Sequence, residues 1–181
     1  ELNDEIQQEL IAEISTAELI KIIEDLELDE IVDILQALPA SRTQNVLSAM
    51  SKRDRQRITE ALVYPEDSAG GLMNTDIISV RPEHSLEVVM RYLRAQKELP
   101  QNTDQIFVVS RENKYLGLLP VSTILVSEPA LNIRELMETA TLPLSVDLSD
   151  KDVARLFEQN DWVSAPVVDE EFNLIGRITI D

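Results

Sequence analysis

The chain has 181 residues with 44% apolar side chains and no cysteine, which excludes general disorder, a disulfide framework and a thiolate metal site. Its net charge of −18 gathers at the two ends, −11 over residues 1–40 and −6 over residues 141–181, so its field repels phosphate and excludes nucleic acid and anionic membrane surfaces as natural partners, leaving cations and basic proteins. No run approaches the roughly eighteen consecutive apolar residues of a membrane span, no signal peptide precedes Glu1, and the lack of a starting Met with the stop at Asp181 reads as a soluble, excised fragment.

Residues 1–63 read as helix throughout. The apolar positions Ile6, Leu10 and Ile14, then Leu19, Ile20, Ile22, Ile23 and Leu26, then Ile31, Ile34, Leu35 and Leu38, then Val46, Leu47 and Met50, then Ile58 and Leu62 recur at three- and four-residue steps, the period of short amphipathic helices. A hydroxyl followed three residues later by Glu or Gln, the spacing of a capping box, marks helix starts at Ser15 with Glu18 and at Ser41 with Gln44. Pro39 and Pro65 are expected to stop two of the helices. Short helices with tight breaks predict an all-α superhelical stack of the armadillo or HEAT sort. The basic run Lys52, Arg53, Arg55 and Arg57 could serve a phosphate, but amid this acid it reads first as a solvated helix face.

Residues 64–71 read as a linker. Gly70 and Gly71 are half of the four glycines in the chain, which predicts an unusual turn there. A phosphate loop would need a preceding strand and a following Lys-Ser/Thr, and the sequence offers neither.

From Leu72 onward a block of about sixty residues occurs twice. Leu72-Met73, Ile78-Ser79-Val80, the helical stretch Leu86–Leu93, Ile106-Phe107-Val108-Val109 and Tyr115-Leu116-Gly117-Leu118-Leu119 come first. They are answered in order by Leu136-Met137, Leu144-Ser145-Val146, Val153–Phe157, Ala165-Pro166-Val167-Val168 and Leu174-Ile175-Gly176-Arg177-Ile178. Each Val-Val run leads into a polar turn, residues 110–114 and 169–173, and predicts a β-hairpin. Two copies of one unit pack on each other about a pseudo-twofold axis, with a place for a ligand between them.

The double unit resembles a tandem pair of CBS domains. The signature is Val-Val, a polar turn and [Tyr/Leu]-x-Gly-x-[Leu/Ile], present at Val108–Val121 and at Val167–Ile180 and joined in the second copy by the passage Asn160–Val168. An acidic helical segment, then Tyr64-Pro65-Glu66-Asp67-Ser68-Ala69-Gly70-Gly71-Leu72-Met73, then the pair is similar to the cytosolic regulatory region of the MgtE family of magnesium transporters. The resemblance implies an α+β chain with an acidic helical N domain at 1–63, a linker at 64–71, CBS domain 1 at 72–134 and an incomplete CBS domain 2 at 135–181. It also implies a homodimer formed through the CBS domains at the cytoplasmic face of the cell membrane. Such a dimer would sense Mg2+ and close its own transmembrane pore domain, which lies outside these residues. The family's metal ligands match Asp29, Asp33 and Asp161, with main-chain oxygens at Gly71 and Glu158.

The residues themselves allow this chemistry. Mg2+ takes oxygen ligands and keeps several waters, so it bridges carboxylate surfaces more readily than it enters a tight cage. Asp29 and Asp33 stand one helical turn apart and project together, although a solvated helix face would look the same. The alternative ligand is an adenine nucleotide, ATP or AMP, in the cleft between repeats. Trp162 could stack on adenine or be a partly buried interface aromatic, and Thr179 offers a hydroxyl. The family's site wants Asp three residues after the hydroxyl, yet Thr123 stands at that place in the first copy and Asp181 precedes it in the second. Catalysis is not expected. No Cys nucleophile exists, the sole His84 reads as a neighbour of a helix cap, and Asp169-Glu170-Glu171 reads as solvated turn acid.

Overall fold

The computed structural model describes residues 14–24, 26 and 28–180. The helix expected around Ile6 and Leu10 lies outside them. The chain divides into two compact units, Glu1–Asp67 and Ser68–Asp181.

The described part of the first unit is a run of short helices, α1 (Thr16–Ile23), α2 (Leu28–Gln36), α3 (Ala40–Ala49) and α4 (Lys52–Ala61). The capping box at Ser15 forms: Ser15 Oγ accepts the Glu18 N–H at 3.3 Å, and Glu18 Oε2 accepts the Ser15 N–H at 3.1 Å. The box expected at Ser41 does not. Pro39 is the N-cap of α3, with its carbonyl accepting from Arg42 and Thr43, so Ser41 lies inside the helix rather than at its start. Ser51, a start that periodicity missed, caps α4 by accepting the Asp54 N–H at 3.2 Å. One stripe of each helix is buried, and Leu19, Ile23, Leu28, Ile31, Val32, Leu35, Val46 and Ile58 form a single core. Helix α1 packs on α3 and α2 on α4, the alternate pairing of a superhelical stack.

The second unit is built from two equivalent halves. In the first, β1 (Ser79–Val80) pairs in parallel with β2 (Gln105–Val109), which pairs antiparallel with β3 (Tyr115–Pro120). In the second, β4 (Leu144–Ser145), β5 (Ser164–Val168) and β6 (Leu174–Thr179) repeat that order and those directions. Both hairpins form, and each carries a bulge at the same point, between Val108 and Val109 and between Val167 and Val168. Helices α6 (Leu86–Ala95) and α9 (Asp150–Asn160) fill equivalent places, and α7 (Val121–Val126) and α8 (Ile133–Leu136) complete the first half.

Strand alternation divides the core. On β2, Ile106 and Val108 face Leu86, Val89 and Ile124 of their own half, while Phe107 and Val109 join Tyr115, Leu118, Val168 and Leu174 in a core shared by both halves. The halves also exchange backbone. Asn74 and Arg177 trade N–H···O bonds of 2.8 and 2.9 Å, and Leu118 and Glu138 trade bonds of 2.9 and 2.8 Å, so the lead-in to each half extends the sheet of the other. This exchange explains the glycine of the signature. A Cβ on Gly117 would stand 2.3 Å from Glu138 O, and one on Gly176 would stand 2.7 Å from Met73 Sδ.

The linker reading of 64–71 needs correction at its end. Ala69–Leu72 is a helical turn, α5, capped by Ser68 and buried in the second unit, where Ala69 and Gly70 donate to Leu148 O at 2.7 Å and Val146 O at 2.9 Å. Gly70 and Gly71 are therefore buried within a helical turn rather than forming an unusual one, and neither adopts a left-handed φ.

Candidate metal centre and nucleotide-binding residues

Asp29 and Asp33 lie on α2, and helical geometry sets them beside, not within, the stripe Leu28, Ile31, Val32 and Leu35 that enters the core. Asp29 is half-buried in the first turn, where the helix dipole favours a carboxylate. Asp33 is exposed as a residue, yet desolvation, and then the charge of Glu30, push its carboxyl above the usual range. Gln36 continues the same face one turn further on. Its Oε1 is buried and accepts no hydrogen bond among the described residues. A stripe of oxygens with a carboxyl short of positive charge and a buried amide oxygen short of a donor suits a hard cation.

In the second unit, Glu158 and Asp161 share the C-terminal turn of α9, and both are exposed. Asp161 caps the helix in a left-handed conformation, φ 51° and ψ 40°, a region that Asp tolerates better than most residues. This helix end carries no basic residue in its last turn. Two carboxylates at the negative end of a helix dipole attract a cation. Gly71 lies on α5, which packs on α9, and its N–H is held by Ser68 O at 3.0 Å. Asp29 and Asp33 thus belong to one unit and Gly71, Glu158 and Asp161 to the other. Among the described residues no three acidic, His or Cys side chains form a metal-sized group.

The nucleotide candidates are placed less favourably. Trp162 follows Asp161 and is half-buried, with its ring edge-on to Phe157 at 5.8 Å and 88°. Thr179 ends β6, paired with Ser164 of β5. Thr123 sits within α7, so no carboxylate marks the expected ribose position there. His84 is exposed, and its carbonyl accepts the Ile133 N–H at 2.9 Å, in keeping with a residue beside a helix start. Asp169 is a turn former rather than merely solvated. Its Oδ1 accepts from the N–H groups of Glu171 at 3.0 Å and Asn173 at 2.8 Å, much as Ser110 Oγ accepts from Glu112 and Lys114 in the first hairpin. Burial works against the ionised form of Asp169, but these bonds, the Asn173 side chain and Lys114 hold its carboxyl below the usual range.

Periodicity also missed Arg177, which is 4% exposed and donates to main-chain carbonyls of Asp76, Gln101 and Asn102. The available signal was its alignment with Leu118 in the repeat.

Comparison with known proteins agrees with this organisation. A family model described as the MgtE intracellular N domain matches residues 1–67, and the CBS domain model matches 69–128 and 133–181. The magnesium transporter MgtE of Thermus thermophilus is 31% identical over 138 residues, 76% of this chain but 31% of that protein. The chain therefore spans about a third of the curated relatives it matches. The crystal structure of the cytosolic domain of the Mg2+ channel MgtE in complex with ATP superposes with a TM-score of 0.90 at 32% identity, covering 98% of this chain and 73% of that one. The soluble part of a magnesium transporter shares the fold, with a TM-score of 0.89 at 24% identity over 99% of this chain and 70% of that one.

Proposed function

The chain belongs to the CBS-domain family and is homologous to the cytosolic region of the MgtE magnesium transporters, an MgtE N domain followed by tandem CBS domains, and from that premise we propose that it is the Mg2+-sensing part of a magnesium transporter or channel. The observation that carries the reading is the α2 oxygen stripe, where Asp33 is desolvated beside Glu30 and Gln36 Oε1 has no donor among the described residues. Asp29 and Asp33 would hold the ion from the N domain, and Asp161, with oxygens at Glu158 and Gly71, from the CBS pair. Bound Mg2+ supplies the positive charge that lets these acidic faces approach. Without it their like charges repel, and the N domain stands away from the CBS pair. A ligand shifts such an equilibrium only by its preference for one arrangement, and carboxylates contributed by both faces provide that preference. The compact state closes a membrane pore outside this chain. Leu125 and Val126 of α7 are 75% and 86% exposed, and these apolar side chains support a homodimer through the CBS pair.

Calorimetric titration of Mg2+ into the chain tests the reading. Asp29→Ala and Asp33→Ala should each weaken binding by on the order of tenfold. Affinity unchanged in both variants would refute it.

A second reading, nucleotide sensing, is favoured by the ATP bound to the related cytosolic domain and by the half-buried Trp162. Thr123, in place of an acid, weighs against tight ribose binding.

A further inference from the structure

The stripe of α2 that enters the core is apolar, and one polar atom is shut in beside it. Gln36 is the last residue of α2, and its Oε1 is shielded from solvent with no hydrogen-bond donor among the described residues. Most buried acceptors are paired, and an unpaired one is a standing cost to the fold. Donors at that helix end are engaged elsewhere. The Ala37 N–H donates to Asp33 O at 3.1 Å and the Leu38 N–H to Leu35 O at 3.3 Å. The Thr43 hydroxyl of α3 reaches Leu35 O at 3.1 Å and Pro39 O at 3.3 Å. The end of α2 also favours positive charge, because the dipole is negative there and the last turn holds no basic residue. Asp33 stands three residues before Gln36, so the two side chains leave the helix as neighbours, with Cβ atoms about 5–6 Å apart.

We infer that Gln36 reads the water shell of the ion: its side-chain oxygen accepts a hydrogen bond from a water carried by an Mg2+ at Asp33. The inference rests on the Mg2+ reading above and deepens it, adding to the carboxylates a neutral residue that separates one divalent ion from another. Mg2+ dehydrates reluctantly and keeps several waters, so it delivers the donor that Gln36 lacks within the fold. An amide oxygen does this without a further negative charge on a face where Asp33 already stands near Glu30. Ca2+ takes more ligand oxygens directly and in looser geometry, so its binding depends less on one acceptor for a bound water.

Calorimetric titration of Mg2+ and of Ca2+ into the whole chain tests this, with urea denaturation in EDTA recorded for each variant by far-ultraviolet circular dichroism. Gln36→Met keeps the length and flexibility of the side chain and removes the oxygen. Without divalent ions it should be as stable as the wild type or more so, since the unpaired acceptor is gone. Its Mg2+ affinity should fall by about tenfold and its Ca2+ affinity by less than about threefold. Gln36→Glu retains an acceptor oxygen, so it should bind Mg2+ at least as well as the wild type while losing ion-free stability through a desolvated charge. Unchanged Mg2+ affinity in Gln36→Met, equal losses for the two ions, or weakened Mg2+ binding in Gln36→Glu would each overturn the inference. So would a Gln36→Met that is destabilised or unfolded without ions, which would make the residue a structural one. A wild type that binds no Mg2+ refutes the Mg2+ reading and the inference with it, whereas binding that Asp33→Ala weakens and Gln36→Met leaves alone refutes the inference only.

Discussion

Gly117→Ala tests the strand exchange that joins the two halves. The new Cβ would stand 2.3 Å from Glu138 O and 3.2 Å from its carbonyl carbon, both backbone atoms, where ordinary contact begins at 3.4 Å. The 138–140 segment would have to retreat by about 1 Å, which the paired 2.9 and 2.8 Å bonds between Leu118 and Glu138 do not survive. Losing both costs about 2 kcal/mol, and forced repacking adds about 1–3 kcal/mol. Restricting the unfolded chain returns about 0.4–1 kcal/mol. The net loss is roughly 2–4 kcal/mol, or on the order of 10 °C in Tm. Gly176→Ala should cost less than Gly117→Ala, because its closest obstacle, at 2.7 Å, is the Met73 side chain and the nearest backbone atom, Asn74 O, lies at 3.0 Å rather than 2.3 Å. The assay is urea denaturation followed by the fluorescence of Trp162, the only tryptophan, which reports on the second unit. A loss below about 0.5 kcal/mol for Gly117→Ala, or a larger loss for Gly176→Ala, would refute the close-approach explanation.

Ser51→Ala should destabilise the first unit by about 1 kcal/mol through the lost cap of α4, read by far-ultraviolet circular dichroism. Asp169 is held below its ordinary 3.8, so its contribution is present above that pH and is lost as the pH falls through its lower folded value. The stability gap between wild type and Asp169→Ala should therefore close on acidification, and a constant gap would contradict the turn role. Burial pushes the Tyr115 hydroxyl up to about 12, so its contribution is full below 10 and is lost as the pH rises through 12. An ultraviolet titration should show a late-ionising tyrosine phase, and Tyr115→Phe should abolish it.

Much of the fold was legible because it repeats. The internal repeat set the two sheets, the hairpins and their order, and helical periodicity set the stripes that enter the N-domain core. Local signals failed where two of them competed. At Pro39 a helix ends and another begins, so the hydroxyl at Ser41 imitated a cap from inside α3. At Gly70-Gly71 the residues that usually mark a turn instead lie buried within the short helix α5. The candidate site was legible only in part for a related reason. Spacing places Asp29 and Asp33 on one face, but desolvation of Asp33 and the buried Gln36 oxygen depend on what packs around α2. Arg177 was visible as a mismatch between the copies, yet its meaning required the carbonyls of 101–102, which are remote in sequence.

On the proposed function, Mg2+ draws the acidic N domain and the CBS pair together. Small-angle scattering from the chain without divalent ions and then in millimolar-order Mg2+ measures it directly. The radius of gyration should fall on adding Mg2+ in the wild type and stay unchanged in Asp29→Ala/Asp33→Ala. Scattering from the wild type that does not respond to Mg2+, or an equal compaction in the double variant, would contradict the claim.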